Sequence, residues 1–188
     1  MLTAPVRPTP WELHTPGLRV RQARAEDLAD LAALKRRVER LCYAHLGSAE
    51  ALAVRLHRRC TAWYLLTCLG AGDLLLVAEL EGVPIGLGAA RVTGDAGQAS
   101  LHLHSTYVER PGVGAGRALT VARLEAANRL GLRTVTADCL LGAARAAHRL
   151  AALGLEDTGR RSASPTFPGV ALSHWAGSLH TALDRART

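Results

Sequence analysis

Lysine is almost missing from this chain: Lys35 is the only one, and every other member of the 23 Lys and Arg residues is arginine. Aromatic residues are scarce as well, at 4%, so there is no interleaved ladder of rings for stacking unpaired bases. The four cysteines, Cys42, Cys60, Cys68 and Cys139, are too few and too scattered for a disulfide framework, and no two stand at zinc-binding spacing. We expect reduced, mostly buried thiols and no metal. No apolar run approaches the roughly 20 residues of a membrane helix. The opening MLTAPVRPTPW has one arginine and lacks the apolar stretch of a secretory signal. These absences lead us to expect a cytoplasmic protein without membrane contact.

What is present describes an ordinary globular chain of 188 residues, 48% hydrophobic and 21% charged. Its net charge of +7 suits a small anion such as a phosphorylated cofactor, and it also admits nucleic acid. The arginines form no long block, so no strong nucleic-acid signal results. Residues 1–17, with Pro5, Pro8, Pro10 and Pro16, read as an irregular arm, and 18–188 as one domain. Periodicity predicts a strand over 18–23, then a helix from Glu26 that turns Leu28, Leu31, Leu34, Val38 and Leu41 inward. A second helix starts near Ser48. Strands over 74–80 and 83–92 form a hairpin about Glu81-Gly82, and a turn at 94–97 leads to a strand over 100–108. A helix over 116–130 stopped by Gly131, a strand over 134–138, a helix over 143–153 stopped by Gly154 and a last strand over 170–179 complete the chain. The class is mixed α/β.

The segment Glu109-Arg-Pro-Gly-Val-Gly-Ala-Gly-Arg-Ala-Leu119 joins a strand to a helix. Glycines at 112, 114 and 116 remove side chains from one turn, so backbone N–H groups can approach a ligand at a helix N-terminus, where the dipole favours an anion. Arg110 and Arg117 add formal charge. A pyrophosphate fits such a turn. The P-loop pattern is excluded because no lysine is present, and the dinucleotide fingerprint fails because its third glycine falls on Arg117 or Leu119.

The same stretch resembles the acetyl-CoA-binding motif of the GNAT superfamily of N-acetyltransferases, Q/R-x-x-G-x-G/A before a helix. Leu153-Gly154-Leu155 resembles that family's later Gly-Phe element, and the likeness runs from about Leu18 to Leu179. It implies a mixed, strongly twisted central sheet with helices on both faces, the GNAT-like acyl-CoA N-acyltransferase fold. It also implies acetyl-CoA as co-substrate, with contacts from Arg110, Pro111, Gly112, Val113, Gly114, Ala115, Gly116, Arg117 and Ala118, and with the pantetheine pairing against the backbone of Thr106, Tyr107 and Val108. The reaction implied is acetyl transfer to a primary amine of a small molecule, peptide or protein terminus, in a chain open to homodimer formation. Two departures stand out: Pro111 occupies the Gln/Arg position, and Leu150 the place of the tyrosine that protonates the departing thiolate. They leave His148 and Cys139 as substitutes for that acid, and they motivate a second reading, an acyl-CoA sensor without turnover.

Attack of an amine on a thioester needs a base for the ammonium proton. On the strand over 100–108, His102 and His104 share a face while Leu101 and Leu103 point the other way. His104 is the candidate base, Glu79 the other candidate, and Ser105 a residue that could orient a water. Trp63, Tyr64 and Trp175 are candidates for lining an acceptor pocket.

Overall fold

The computed structural model describes residues 16–95 and 98–188. The proline-rich arm, apart from its last two residues, and the second half of the turn at 94–97 lie outside them. Strand β1 (Leu18–Gln22) is followed by a single 3-10 turn and three helices, α1 (Leu28–Tyr43), α2 (Ala49–Arg59) and α3 (Ala62–Gly70). Strands β2 (Leu74–Leu80), β3 (Val83–Thr93) and β4 (Ser100–Val108) form a meander. Helix α4 (Ala115–Arg129), β5 (Thr134–Leu140), α5 (Ala144–Ala152), β6 (Glu156–Ala163), β7 (Ala171–Ser178) and α6 (Leu179–Arg187) complete the order. One seven-stranded sheet results, ordered β1-β2-β3-β4-β5-β7-β6. Helices α1 and α3 cover one face, and α4 and α6 the other.

Three expectations need correction. Ahead of the expected last strand, which is β7, stands an unexpected one, β6, which pairs antiparallel with β7 as the sheet edge. Its side chains are exposed throughout, so it carries no alternation to read. Leu179 begins a helix rather than ending a strand: Ser178 caps it by accepting from Thr181 N, and α6 buries Leu179, Ala182, Leu183 and Ala186 on the cluster formed with α4. Leu41 is 84% exposed, because the buried stripe of α1 runs through Lys35 and Glu39 to Cys42 and Tyr43, leaving position 41 about a quarter turn away.

All neighbouring strands are antiparallel except β4 and β5, which pair in parallel over Ser100–Leu103 and Thr134–Ala137. Both strands continue beyond that ladder, to Val108 and Leu140, and separate as they go. A bulge on β4 accompanies the split. Leu103 faces Ala90 and Ser105 faces Ala89, leaving His104 as an extra residue. An inserted residue reverses the side-chain alternation. Leu101 and Leu103 therefore join the cluster under α4, whereas Tyr107 joins the cluster under α1.

The bulge is held from below by Arg123 of α4, whose side chain is fully buried. Its guanidinium donates to Ala89 O at 3.0 Å, Ser105 O at 2.9 Å and Thr106 Oγ1 at 2.8 Å, and its Nε to Leu119 O at 2.9 Å. Burial pushes its pKa down to about 9, still cationic at neutral pH. Gly88 lets the helix come this close: a Cβ there would stand 3.2 Å from Leu119 Cβ and 3.3 Å from the Arg123 guanidinium. Arg123→Met keeps the length and removes the donors, stranding the Ala89 and Ser105 carbonyls. Each buried orphan costs about 1–3 kcal/mol, so urea denaturation should show a loss of roughly 3 kcal/mol.

Candidate active site

The glycine turn stands at the open end of the split. The Glu109 N–H donates to Ile85 O at 2.9 Å, the last rung before the chain leaves β3. Gly112 (φ +90°) and Gly114 (φ +80°) both adopt left-handed conformations, which glycine reaches without strain. Gly114 is the residue that caps α4, and having no side chain it leaves the first N–H groups of the helix uncovered. Ala115 and Ala118 are buried beneath the turn. Arg110 and Pro111 are exposed.

The Arg117 side chain reaches the end of α6. Its guanidinium donates to Ala186 O at 2.8 Å and also to Arg187 O, satisfying the last carbonyls of α6, which have no partner within their own helix. The same side chain lines the groove beside Gly116. A residue that sequence reasoning passed over also stands near the turn: Arg149 of α5, whose Nη1 lies 3.3 Å from where a Cβ on Gly116 would be. Arg149 lines a groove of about 250 Å³ with Gly116, Thr120 and Arg185, and a shallower one along α5 with Arg145 and His148. No spacing rule joins residues 116 and 149; only the packing of α5 beside α4 does.

At the closed end of the split stands His104. Its Nε2 lies 3.0 Å from Asp73 Oδ2, at the start of β2. The distance is that of an ion pair, but the ring is misaligned for a hydrogen bond, and Nε2 is buried without a hydrogen-bond partner. We take the contact as electrostatic. Asp73 is itself held by Arg91, Nε to Oδ1 at 2.5 Å and Nη2 to Oδ2 at 3.0 Å. Burial alone would raise the Asp73 carboxyl, but His104 and Arg91 outweigh it and hold the pKa at about 2. A carboxylate only accepts, so Nε2 is the protonated nitrogen and Nδ1 keeps the lone pair. Burial pushes His104 below its ordinary value, Asp73 pulls it back up, and the Arg59 and Arg91 charges push it down.

His102 stacks beside His104, ring centres 6.3 Å apart, but both its nitrogens have neighbours. Nδ1 meets Thr136 Oγ1 at 3.1 Å, and Nε2 lies 3.8 Å from Asp138 Oδ2. From Asp138 the chain of contacts continues to His174 Nδ1 at 2.7 Å, whose Nε2 meets Ser162 Oγ at 2.9 Å. His102 is thus built into a polar row across the sheet, whereas His104 has a free lone pair.

Glu79, the other candidate base, does not join this group. It accepts from Arg21 Nε at 2.9 Å, in a network that Arg21 shares with Asp27. By register it lies opposite Pro84, whereas Ala89 faces Leu75 on β2 and Ser105, next to His104, on β4. That places Glu79 roughly 15 Å from His104. Leu150 is partly buried between two hydrophobic clusters. Burial raises the Cys139 thiol, keeping it protonated. Of the aromatic candidates, Trp63 is 73% exposed on α3, and Trp175 lies on β7 with Nε1 donating to Ser173 Oγ at 3.0 Å. The Tyr64 hydroxyl accepts from Arg59 at 2.6 Å.

The Asp73 contact has a measurable consequence if His104 acts as a base. Asp73 raises the His104 pKa, so Asp73→Asn should move the acid limb of kcat/KM to lower pH. Release of the ring should also lower the plateau by about 10-fold, a modest part of what a positioned base supplies. A pH–rate profile of the variant checks both signs.

A mixed seven-stranded sheet whose parallel central pair splits beside a glycine-capped helix is the architecture of the GNAT N-acetyltransferases, and this chain has that fold. Among solved structures, a GCN5-related N-acetyltransferase from Rhodopseudomonas palustris superposes with a TM-score of 0.70 at 22% identity, covering 89% of this chain and 99% of its own. A PaiA N-acetyltransferase from Thermoplasma acidophilum, in complex with coenzyme A, gives 0.69 at 15% identity over 84% and 97%. A ribosomal-protein-alanine N-acetyltransferase from Brucella melitensis gives 0.62 at 23% identity over 85% and 98%. At the level of sequence, no family model and no curated protein matches the chain. Among the described residues, no helix is long and apolar enough to cross a membrane.

Proposed function

We propose that the chain transfers an acetyl group from acetyl-CoA to a primary amine. The observation that carries this reading is the split between β4 and β5, with an uncovered helix N-terminus at its mouth and a histidine bearing a free lone pair at its apex. Four residues of strand separate His104 from Val108, about 14 Å at the rise of a β-strand. A long linear arm anchored by its phosphates at residues 112–116 would cross that interval along the unpaired edge of Thr106, Tyr107 and Val108. The first N–H groups of α4 meet the pyrophosphate, and Arg149 adds a cation beside Gly116. The two structures solved with or named for related chemistry, the coenzyme A complex of PaiA and the GCN5-related enzyme, share this architecture.

Acetyl-CoA supplies the electrophilic thioester carbonyl. The chain's own part is to align the acceptor and move its proton. Nδ1 of His104 takes the proton from the acceptor ammonium, leaving a neutral amine lone pair to attack, while Nε2 stays against Asp73 and stabilises the imidazolium that forms. Leu150 has no proton to give and the Cys139 thiol, its pKa raised by burial, is a weak donor, so protonation of the leaving thiolate falls to solvent or to His148 on α5. The test is coenzyme A release in the presence of acetyl-CoA and a broad amine panel, with calorimetric binding of coenzyme A. Binding together with amine-dependent release supports the proposal; binding without release for any amine would leave the sensor reading.

A further inference from the structure

Only two buried side-chain polar atoms among the described residues lack a hydrogen-bond partner, His104 Nε2 and Arg59 Nε. They belong to one neighbourhood: Lys35 Nζ donates to Arg59 O at 2.7 Å and lies 4.6 Å from the centre of the Tyr64 ring and 5.2 Å from that of Tyr107, which is three residues along β4 from His104. Buried polar groups are nearly always paired, and exceptions ask for a reason. His104 Nε2 has the Asp73 carboxylate 3.0 Å away as an electrostatic partner; Arg59 Nε has no such neighbour.

Arg59 is the last residue of α2. One terminal nitrogen donates to the Tyr64 hydroxyl at 2.6 Å, and the guanidinium lies over the Tyr64 ring, 5.0 Å from its centre. It makes no ion pair. The carboxylates nearby are already taken: Glu39 accepts from Arg55 at 2.7 and 3.2 Å and from the Tyr107 hydroxyl at 2.6 Å, with Lys35 at 3.5 Å. Asp73 is held by Arg91 and His104. Four cations (Lys35, Arg55, Arg59 and Arg91) thus share two carboxylates on this face of the sheet. A buried cation without a counter-charge is costly, and an anion arriving with the acceptor would remove the cost.

We infer that the acceptor is an amino carboxylate, its amine delivered to His104 and its carboxylate received by Arg59. This rests on the acetyl-transfer reading above. A carboxylate fits better than a phosphate because Lys35 is wholly enclosed, with its Nζ donating to Arg59 O at 2.7 Å. Arg55 is buried against Glu39 and Arg91 is paired with Asp73, which leaves Arg59, a partly exposed residue, to face the ligand. A single planar guanidinium matches a single carboxylate.

The experiment compares free L-amino acids with their amides as acceptors, using the full chain, acetyl-CoA and a range of side chains. A charge-assisted pair is worth roughly 10- to 100-fold, so kcat/KM should favour the acids over the amides by that factor, expressed in KM. In Arg59→Gln the preference should collapse to about one. In Arg59→Lys, which keeps the charge and loses the fork, it should fall between. Acids and amides used equally by the wild type, or a preference that survives Arg59→Gln, would overturn the inference while leaving acetyl transfer standing. Calorimetry of the same acids and amides in the presence of coenzyme A separates the two readings. Carboxylate-dependent, Arg59-dependent binding without turnover would retain the site and discard the transfer, and indifferent binding would overturn the site.

Discussion

Replacing His104 by alanine should lower kcat/KM by ~10- to 1000-fold, the span from below to within what a positioned general base supplies, with coenzyme A affinity unchanged. The two effects separate because His104 sits at the apex of the β4–β5 split and the glycine turn at its mouth, four strand residues further on. In the wild type, activity should fall as pH drops through the His104 pKa, because only the neutral ring accepts a proton. Burial and the Arg59 and Arg91 charges lower that pKa against the pull of Asp73, so the acid limb should lie below the ordinary histidine value of about 6.5. One further variant sharpens the result. His102→Ala removes the stacked neighbour and opens the polar row to Thr136 and Asp138 but leaves the Asp73–His104 contact, so its effect should be much smaller. Equal small losses in both variants would show that neither histidine moves the proton.

Gly114→Asp should weaken coenzyme A binding by ~100-fold or more, since like charges forced together cost several kcal/mol. Gly114 caps α4 at φ +80°, a conformation in which Asp and Asn are the most tolerable replacements for glycine. The fold should survive, with a thermal unfolding temperature close to that of the wild type. The new carboxylate would sit at the positive end of the helix and serve as its own anion, in the place we assign to the pyrophosphate. Gly114→Asn separates charge from bulk. It should lose less affinity than the aspartate variant, and the gap between them should narrow as salt screens the repulsion. Coenzyme A bound by Gly114→Asp as tightly as by the wild type would remove the phosphates from this turn.

Much of the architecture was legible along the chain because its signals are local. The Glu81-Gly82 hairpin, the stops at Gly131 and Gly154, and the alternation of Leu101 and Leu103 against His102 and His104 each depend on a few neighbouring residues, and each appears in the structure. Strand β6 was not legible because its edge position exposes both faces. Helix α6 was missed because its four buried residues acquire an apolar destination only once α4 lies beside them. The hydrophobic reading of α1 went astray at Leu41 because two charged residues, Lys35 and Glu39, occupy the centre of its buried face.

By itself the sequence determined the turn at 112–116 and its helix, since absent side chains and a left-handed backbone are properties of glycine at those positions. It also determined which strand carries the histidines. Only the tertiary structure decided what those groups do. The bulge that singles out His104 exists because Arg123, from the next helix, fills the space beneath it. The histidine's partner, Asp73, lies 31 residues earlier in the chain, at the start of a strand two places away in the sheet. The positions of two arginines followed the same rule: α6 presents unpaired carbonyls to Arg117, while α5 sets Arg149 against Gly116. Charges act through space and are shared among whatever groups packing brings within a few ångströms, so their assignments become readable only when the helices are in place.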